Sequence, residues 1–391
     1  MPNDNKRQYN MAKQRNIFED VGTAQKAQVA APNPGLIDAN GRGARSGIRL
    51  WLMLLFALVV VMIAVGGLTR LTDSGLSITE WAPLMGAIPP LNAADWALAF
   101  EKYKEIPEYQ LQNAGMTLQE FKVIYWWEWG HRQLGRVIGL VWAIGFFGFL
   151  IVKQIPTGWT GRLFLLGVLG GLQGAIGWWM VSSGLTGTML DVASYRLATH
   201  LGLAFVILGF IAWYIFAMGR SEAELMQARR ARETALIPLA TGLTIFAFVQ
   251  ILLGALVAGI DAGRGYPDWP LMAGGFLPPE LFAITPWWRN FFENDGLVQF
   301  IHRMSGYGLM AFGVFVWMRA RRSPNGATRF SFNTMLAVLL LQMAVGVVTV
   351  LYSAPAHIAI VHQFLAVVLW VLILRARFAT AYPAARSIQR G

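Results

Sequence analysis

Eight apolar runs, each of about 18 to 25 residues, recur along this chain of 391 residues and constrain its fold more than any other feature. As a helix, such a run rises about 30 Å, the thickness of a bilayer's hydrocarbon core. In that core every backbone amide and carbonyl needs a partner within the protein, which leaves helices or a closed barrel. The runs lack the alternation of barrel strands, and only 14% of the residues are charged. We expect an all-α integral membrane protein with eight transmembrane helices, at about 50–68, 133–153, 161–182, 196–218, 235–259, 297–318, 331–352 and 356–375.

Basic residues set the orientation. Residues 1–49, the connections near 153–162, 219–236 and 319–330, and the C-terminal tail hold 22 of the 32 basic residues and 7 of the 21 acids. That side, with both termini, is expected to face the cytoplasm, because cytoplasmic loops collect Lys and Arg. The net charge of +11 therefore reflects topology. The basic residues are spread over five short segments and form no nucleic-acid surface. Residues 1–47 are polar, without the apolar stretch and cleavage site of a signal peptide, and read as a disordered cytoplasmic tail. The lack of cysteine removes disulfides, thiolate chemistry, iron–sulfur ligation and covalent c-type heme attachment. On the opposite side, connections 69–130 and 260–296 are rich in Trp, Pro and Gly and read as structured caps at the membrane surface. In them Thr117 with Glu120 fits a capping box, and Thr285 fits an N-cap ahead of Pro286.

The chain reads as duplicated. Gly67, Trp81 to Met85 and Pro89-Pro90 answer to Gly259, Trp269 to Met272 and Pro278-Pro279. His131-Arg132 with Gly135 answer to His302-Arg303 with Gly306 at one constant offset. Gln173, Ala175 and Gly177 answer to Gln342, Ala344 and Gly346, again at one constant offset, and His200 answers to His362. Two tandem four-helix bundles in a pseudo-two-fold relation follow, with one orientation because each has an even number of spans. The expected boundaries are a tail at 1–47, an N-terminal half at 48–218, a cytoplasmic linker at 219–234, a C-terminal half at 235–378 and a cytoplasmic tail at 379–391.

Four of the five histidines form two matched pairs, His131 with His200 and His302 with His362, on the second and fourth helix of each half near their outer ends. A lone intramembrane histidine is ordinarily a satisfied polar group. Four in matched places call for another account. Two imidazoles facing each other across a bundle describe a bis-imidazole heme pocket. Small residues clear the space: Gly135, Gly139, Gly174, Gly177 and Gly202 in the first half, Gly306, Gly308 and Gly346 in the second. Zinc fits less well, since it draws three or four converging ligands and each half offers two histidines and few acids. The glycines equally suit helix packing alone. Arg132, Arg136 and Arg303, at the outer mouth, are open to two uses, pairing with heme propionates or snorkelling to the interface. His357 turns to a different face from His362 and reads as a surface residue or as a support to a ligand, not as a ligand itself.

The halves differ in chemistry. Glu128, one turn before His131, is matched by Gln299 before His302, and Arg136 is matched by Tyr307. A carboxylate beside a bound ring system suits proton handling or the stabilisation of a developing cation; an interfacial ion pair with Arg132 or Arg136 is the plainer reading. Electron transfer alone would not require the asymmetry.

Glu128-Trp129-Gly130-His131-Arg132 with Gly135-Arg136, the run from Gly66 to Ser77, Glu80-Trp81, His302-Arg303 and His362-Gln363 together resemble the heme A synthase family over about residues 48–378. The resemblance implies an eight-helix oxidoreductase that converts the C8 methyl group of heme O to a formyl group by successive hydroxylations and loss of water, giving heme A for a terminal oxidase. It implies that His131 and His200 flank the substrate heme O, with Glu128 as the essential acid. It implies likewise that His302 and His362 ligate the iron of a heme b cofactor, with Arg303 beside it. Heme O synthase and terminal-oxidase assembly factors are the implied partners, in a cell inner membrane with the heme sites near the periplasmic face. The electron donor and any homo-oligomeric state are left open. Some members of the family carry cysteine pairs in outer loops; this chain resembles the cysteine-free proteobacterial and mitochondrial branch.

Two other classes compete. A di-heme b-type cytochrome moving electrons between quinol and a periplasmic partner accounts for the four histidines but not for Glu128 against Gln299. A heme or small-molecule carrier built on the repeat would place its polar site nearer the bilayer midplane.

Overall fold

The computed structural model describes residues 41–187 and 190–384. Among these the chain is all-helical, with no strand and one isolated bridge between Met272 and Gly275. The helices are α1 (Gly41–Leu71), α2 (Ala93–Lys104), α3 (Pro107–Leu111), α4 (Leu118–Ile151), α5 (Thr160–Val181), α6 (Ser194–Met218), α7 (Glu222–Arg230), α8 (Leu236–Gly259), α9 (Asn290–Glu293), α10 (Asp295–Ala320), α11 (Gly326–Leu351) and α12 (Ala356–Ala381). Of the tails expected at 1–47 and 379–391, residues 1–40 and 385–391 lie outside the described residues, whereas 41–47 already form the opening turns of α1 and 379–381 continue α12.

Among the described residues seven helices are long and apolar enough to cross a membrane: α1, α4, α5, α6, α8, α11 and α12. Eight were expected. The remaining candidate, α10, has 26 residues but spends its first half on Asp295, Gln299, His302, Arg303, Ser305 and two glycines, which lowers its apolar character. The long α4 opens on the expected capping box: the Thr117 hydroxyl accepts from the Glu120 amide, and the Glu120 carboxylate accepts from the Thr117 amide at 2.8 Å. With 34 residues it is about 50 Å long, so its first turns stand clear of a 30 Å hydrocarbon layer.

Burial sorts the helices. In the apolar stretch of α6, 67% of residues are buried, against 6% in α4 and in α5. So α6 is the central post, packed against α1, α5, α8 and α12, and the large exposed side chains of α4 and α5, such as Ile144, Phe147 and Phe164, suit lipid. Around α6, Phe205, Leu208 and Ile211 meet Leu243 of α8 and Trp370 and Ile373 of α12. The indole of Trp370 donates to the Phe205 carbonyl at 3.0 Å, which satisfies its one polar atom inside the core.

A second apolar cluster forms a cap beside the start of α4, from Leu76, Trp96, Phe100, Tyr103, Phe121 and Tyr125. Its helix α2 starts at Asn92, whose side chain accepts from the Asp95 amide at 2.9 Å. Inside this cap lies Glu108, 3% exposed, which accepts from the Tyr103 hydroxyl at 3.2 Å. Burial pushes its carboxyl up to about 8, the Tyr103 bond pulling the other way. Nearby, Arg70 at the end of α1 pairs with Asp73, Asp191 and Asp261 at 3.0, 3.3 and 3.1 Å, tying three outer segments to one guanidinium. In the second outer connection one expectation fails. The short 3-10 helix begins at Trp287, with Pro286 and not Thr285 preceding it, and the buried Asn290 does the fastening, bonded to both backbone groups of Ile284.

Candidate functional site

The four paired histidines sit on α4, α6, α10 and α12, each partly buried and each pressed against a glycine of a neighbouring helix. A Cβ built on Gly66 of α1 would lie 2.9 Å from Cε1 of His131; one on Gly177 of α5, 2.9 Å from Cε1 of His200; one on Gly254 of α8, 3.1 Å from Cε1 of His302; one on Gly346 of α11, 2.9 Å from Cε1 of His362. Any larger residue would displace the imidazole. The glycines at these four positions therefore serve the histidines and not helix packing alone. The exposed His357 belongs to neither pair.

Three of the four rings are held by a glutamine one turn before the glycine. The amide of Gln173 donates to the His200 carbonyl at 3.0 Å, that of Gln250 to the His302 carbonyl at 3.0 Å, and that of Gln342 to the His362 carbonyl at 3.1 Å. Each amide nitrogen also lies between 3.1 and 3.5 Å from both nitrogens of its imidazole. The in-plane lone pairs of those two nitrogens diverge, so one donor this close to both lies over the ring face. The glutamine thus clasps the ring from one face. The fourth clasp is missing. One turn before Gly66 stands Met62, and the Nδ1 atom of His131 is buried without a partner. A Cβ on Gly135 would meet the Met62 methyl at 3.5 Å where one on Gly306 would meet the Gln250 amide at 3.3 Å, so the two side chains fill equivalent places. Equating Met62 with Gln250 brings Gly66 into register with Gly254; the pairing of Gly67 with Gly259 was out of register.

The arginines beside the histidines hold the outer loops. Arg132 donates to the carbonyls of Ile78 and Glu80 at 2.7 and 2.9 Å and pairs with Glu128 at 2.5 Å. Glu128, 3% exposed, also accepts from the Ser77 hydroxyl and the Ile78 amide, both at 2.7 Å. In the other half Arg303 donates to the carbonyls of Tyr266, Asp268 and Leu271 and to Gln299. Its Nε is buried and has no protein partner. Arg136 bonds the carbonyls of Pro83 and Ala82, while its counterpart Tyr307 accepts from the Trp269 indole at 2.7 Å. Snorkelling to the interface is not what these side chains do; they stitch loop to helix.

The halves meet on α1. Next to Gly66, which backs His131, Gly67 is pressed by the side chain of Gln363, the neighbour of His362, whose amide donates to the Ile63 carbonyl at 2.7 Å.

The donor set fits a heme in each half. Two partly open imidazoles approach from different helices, cleared by glycine, and among the described residues no three His, Asp or Glu side chains converge as a metal cage would require. The buried oxygens of Gln173, Gln250 and Gln342 and the Nδ1 of His131 have no hydrogen-bond partner within the protein.

Sequence comparison agrees. Residues 49–374 match the family model described as cytochrome oxidase assembly protein. The chain is 66% identical to the heme A synthase of Ruegeria sp. (strain TM1040) over 96% of this chain and 99% of that one. It is 68% identical to the heme A synthase of Dinoroseobacter shibae over 97% and 99%, and 59% identical to that of Cereibacter sphaeroides (strain ATCC 17029 / ATH 2.4.9) over 97% and 99%. With its matched histidines, its duplicated loop clamps and near-full-length similarity, the chain belongs to the cytochrome oxidase assembly protein family.

Proposed function

We propose that this chain is a heme A synthase, a membrane oxidoreductase that oxidises the C8 methyl group of heme O to the formyl group of heme A. The observation that carries the reading is the fourfold imidazole-on-glycine arrangement, found in a chain whose relatives of nearly equal length are heme A synthases. The di-heme carrier is not favoured, since those relatives are named as synthases.

His131 and His200 flank heme O in the first half, and His302 and His362 ligate heme b in the second. A resident heme b supplies electron transfer; the protein supplies ligation, orientation and local charge. Glu128 provides the anionic group that the second half replaces with Gln299, and it acts one turn from His131 while fastening the loop above it. Arg303 serves the heme b side by fixing the loop at 266–271, its Nε being the donor left for a propionate.

In this reading α10 is the eighth crossing, and α1, α4, α5, α6 and α8, α10, α11, α12 are tandem bundles. The neighbour pattern supports it: α1 packs on α4 and α6 as α8 packs on α10 and α12, and α5 and α11 each close their own group. The basic ends face the cytoplasm of a bacterial inner membrane, the heme sites lie toward the periplasm, and heme O synthase and terminal-oxidase assembly factors are partners.

Mass analysis of the porphyrins extracted from purified protein, made beside a source of heme O, tests the function. Heme A in the wild type is expected. Heme O and heme b alone, with no heme A under aeration, would overturn it.

A further inference from the structure

Resting on the heme reading above, we propose that Met62 is a positioning residue that makes His131 the exchangeable ligand of the four. Three imidazoles are held in the same way, by a glutamine that bonds the histidine's own carbonyl and lies over its ring. Met62 fills the place of Gln250 in the first half, as the contacts at Gly135 and Gly306 establish. A thioether has no proton to give the His131 carbonyl and only weak accepting power. Its three rotatable bonds also make it a poor wall for an aromatic ring. His131 is left with Gly66 behind it, no amide over its ring and a buried Nδ1 without a hydrogen-bond partner.

The physical consequence is one of ordering. A clasped imidazole is already fixed when iron arrives, whereas an unclasped one gives up torsional freedom on binding, so its bond to iron is weaker and opens more often. The asymmetry matches what each half has to do. A substrate heme enters, reacts and leaves as product; a cofactor heme stays. Met62 places the loosest ligand on the substrate side, and Gln250 denies the same freedom to His302.

The test uses full-length protein purified in detergent with its heme, mixed with excess apomyoglobin, and follows heme loss by absorbance. Two phases are expected in the wild type, the fast one assigned to the first half by its loss in His131→Ala. Met62→Gln is expected to slow the fast phase about 10-fold, and to sharpen the low-spin electron paramagnetic resonance signal of that heme. Gln250→Met is expected to speed the slow phase by about the same factor. Met62→Leu, apolar and without a donor, keeps the fast release and the unaltered spectrum. Unchanged rates in both Met62→Gln and Gln250→Met, in protein that holds heme, overturn this inference alone. A Met62→Leu protein that loses the low-spin signal overturns it too, by making the thioether an iron ligand. A wild-type protein that retains no heme overturns the heme reading itself and this inference with it.

Discussion

Arg132 and Arg303 occupy the same place beneath the two outer loops: one donates to the carbonyls of Ile78 and Glu80, the other to those of Tyr266 and Asp268, which hold the matching positions of the second repeat. What differs is the partner one turn earlier on the same helix. Arg132 has a carboxylate, Glu128, and Arg303 has an amide, Gln299.

Replacing Glu128 by Gln makes the first clamp chemically like the second. Because Gln299 sits in that role without disrupting its loop, Glu128→Gln is expected to fold and to hold heme in both halves while forming no heme A. Glu128→Ala leaves Arg132 without its counter-ion and strands the Ser77 and Ile78 donors, a loss of about 3–5 kcal/mol. Chromatography of extracted hemes alongside thermal denaturation separates the two effects. Normal heme A production by Glu128→Gln would remove the carboxylate from the chemistry.

Removing a ligand should empty one half at a time. His302→Ala or His362→Ala is expected to lose about half the bound heme, the retained b-type component, and His131→Ala or His200→Ala the substrate component. Pyridine hemochrome spectra and low-temperature resonance measure this. A full low-spin b signal in both His302→Ala and His362→Ala would refute the cofactor assignment.

The glycines behind the rings offer a graded test. An alanine at Gly177 or Gly346 brings its Cβ within 2.9 Å of an imidazole carbon, and one at Gly254 within 3.1 Å. We expect Gly177→Ala and Gly346→Ala to disturb the low-spin spectrum of their own half, at about 1–3 kcal/mol in stability, and Gly254→Ala to do so less. Equal spectra in all three would mean that the rings do not depend on these contacts.

Stability should depend on Glu108. Burial raises its carboxyl to about 8 from an ordinary value of 4.5, so between those values the folded protein holds a proton that the unfolded chain has released. This group's contribution is therefore most favourable at low pH and is lost as pH rises from about 4.5 through 8. Melting in detergent, read from tryptophan fluorescence, is expected to fall across that window, and Glu108→Gln is expected to flatten the decline. An identical slope in the variant would show that other groups cause it.

The apolar runs and the paired histidines were legible because each rests on a strong periodic or compositional signal. Less legible was α10, whose histidine-bearing half is polar enough to dilute the apolar count. The glutamine clasps were half seen. Gln173 and Gln342 stood out as a matched pair, but Gln250 belongs to the first helix of its half, where the counterpart is Met62, and a repeat that has diverged gives no match to notice. Writing the four segments together, with Gly66, Gly177, Gly254 and Gly346 aligned, reveals Gln three times and Met once. The use of Arg132 and Arg303 was out of reach, since their acceptors are backbone carbonyls that a sequence does not distinguish.

Because Gly66 and Gly67 are consecutive, one short stretch of α1 backbone carries a contact from each histidine pair's surroundings, with His131 leaning on one residue and Gln363, the neighbour of His362, on the next. A substitution that shifts this backbone for His131 also shifts it for Gln363, so paired changes on the two sides of α1 should show strong epistasis where paired changes elsewhere simply add.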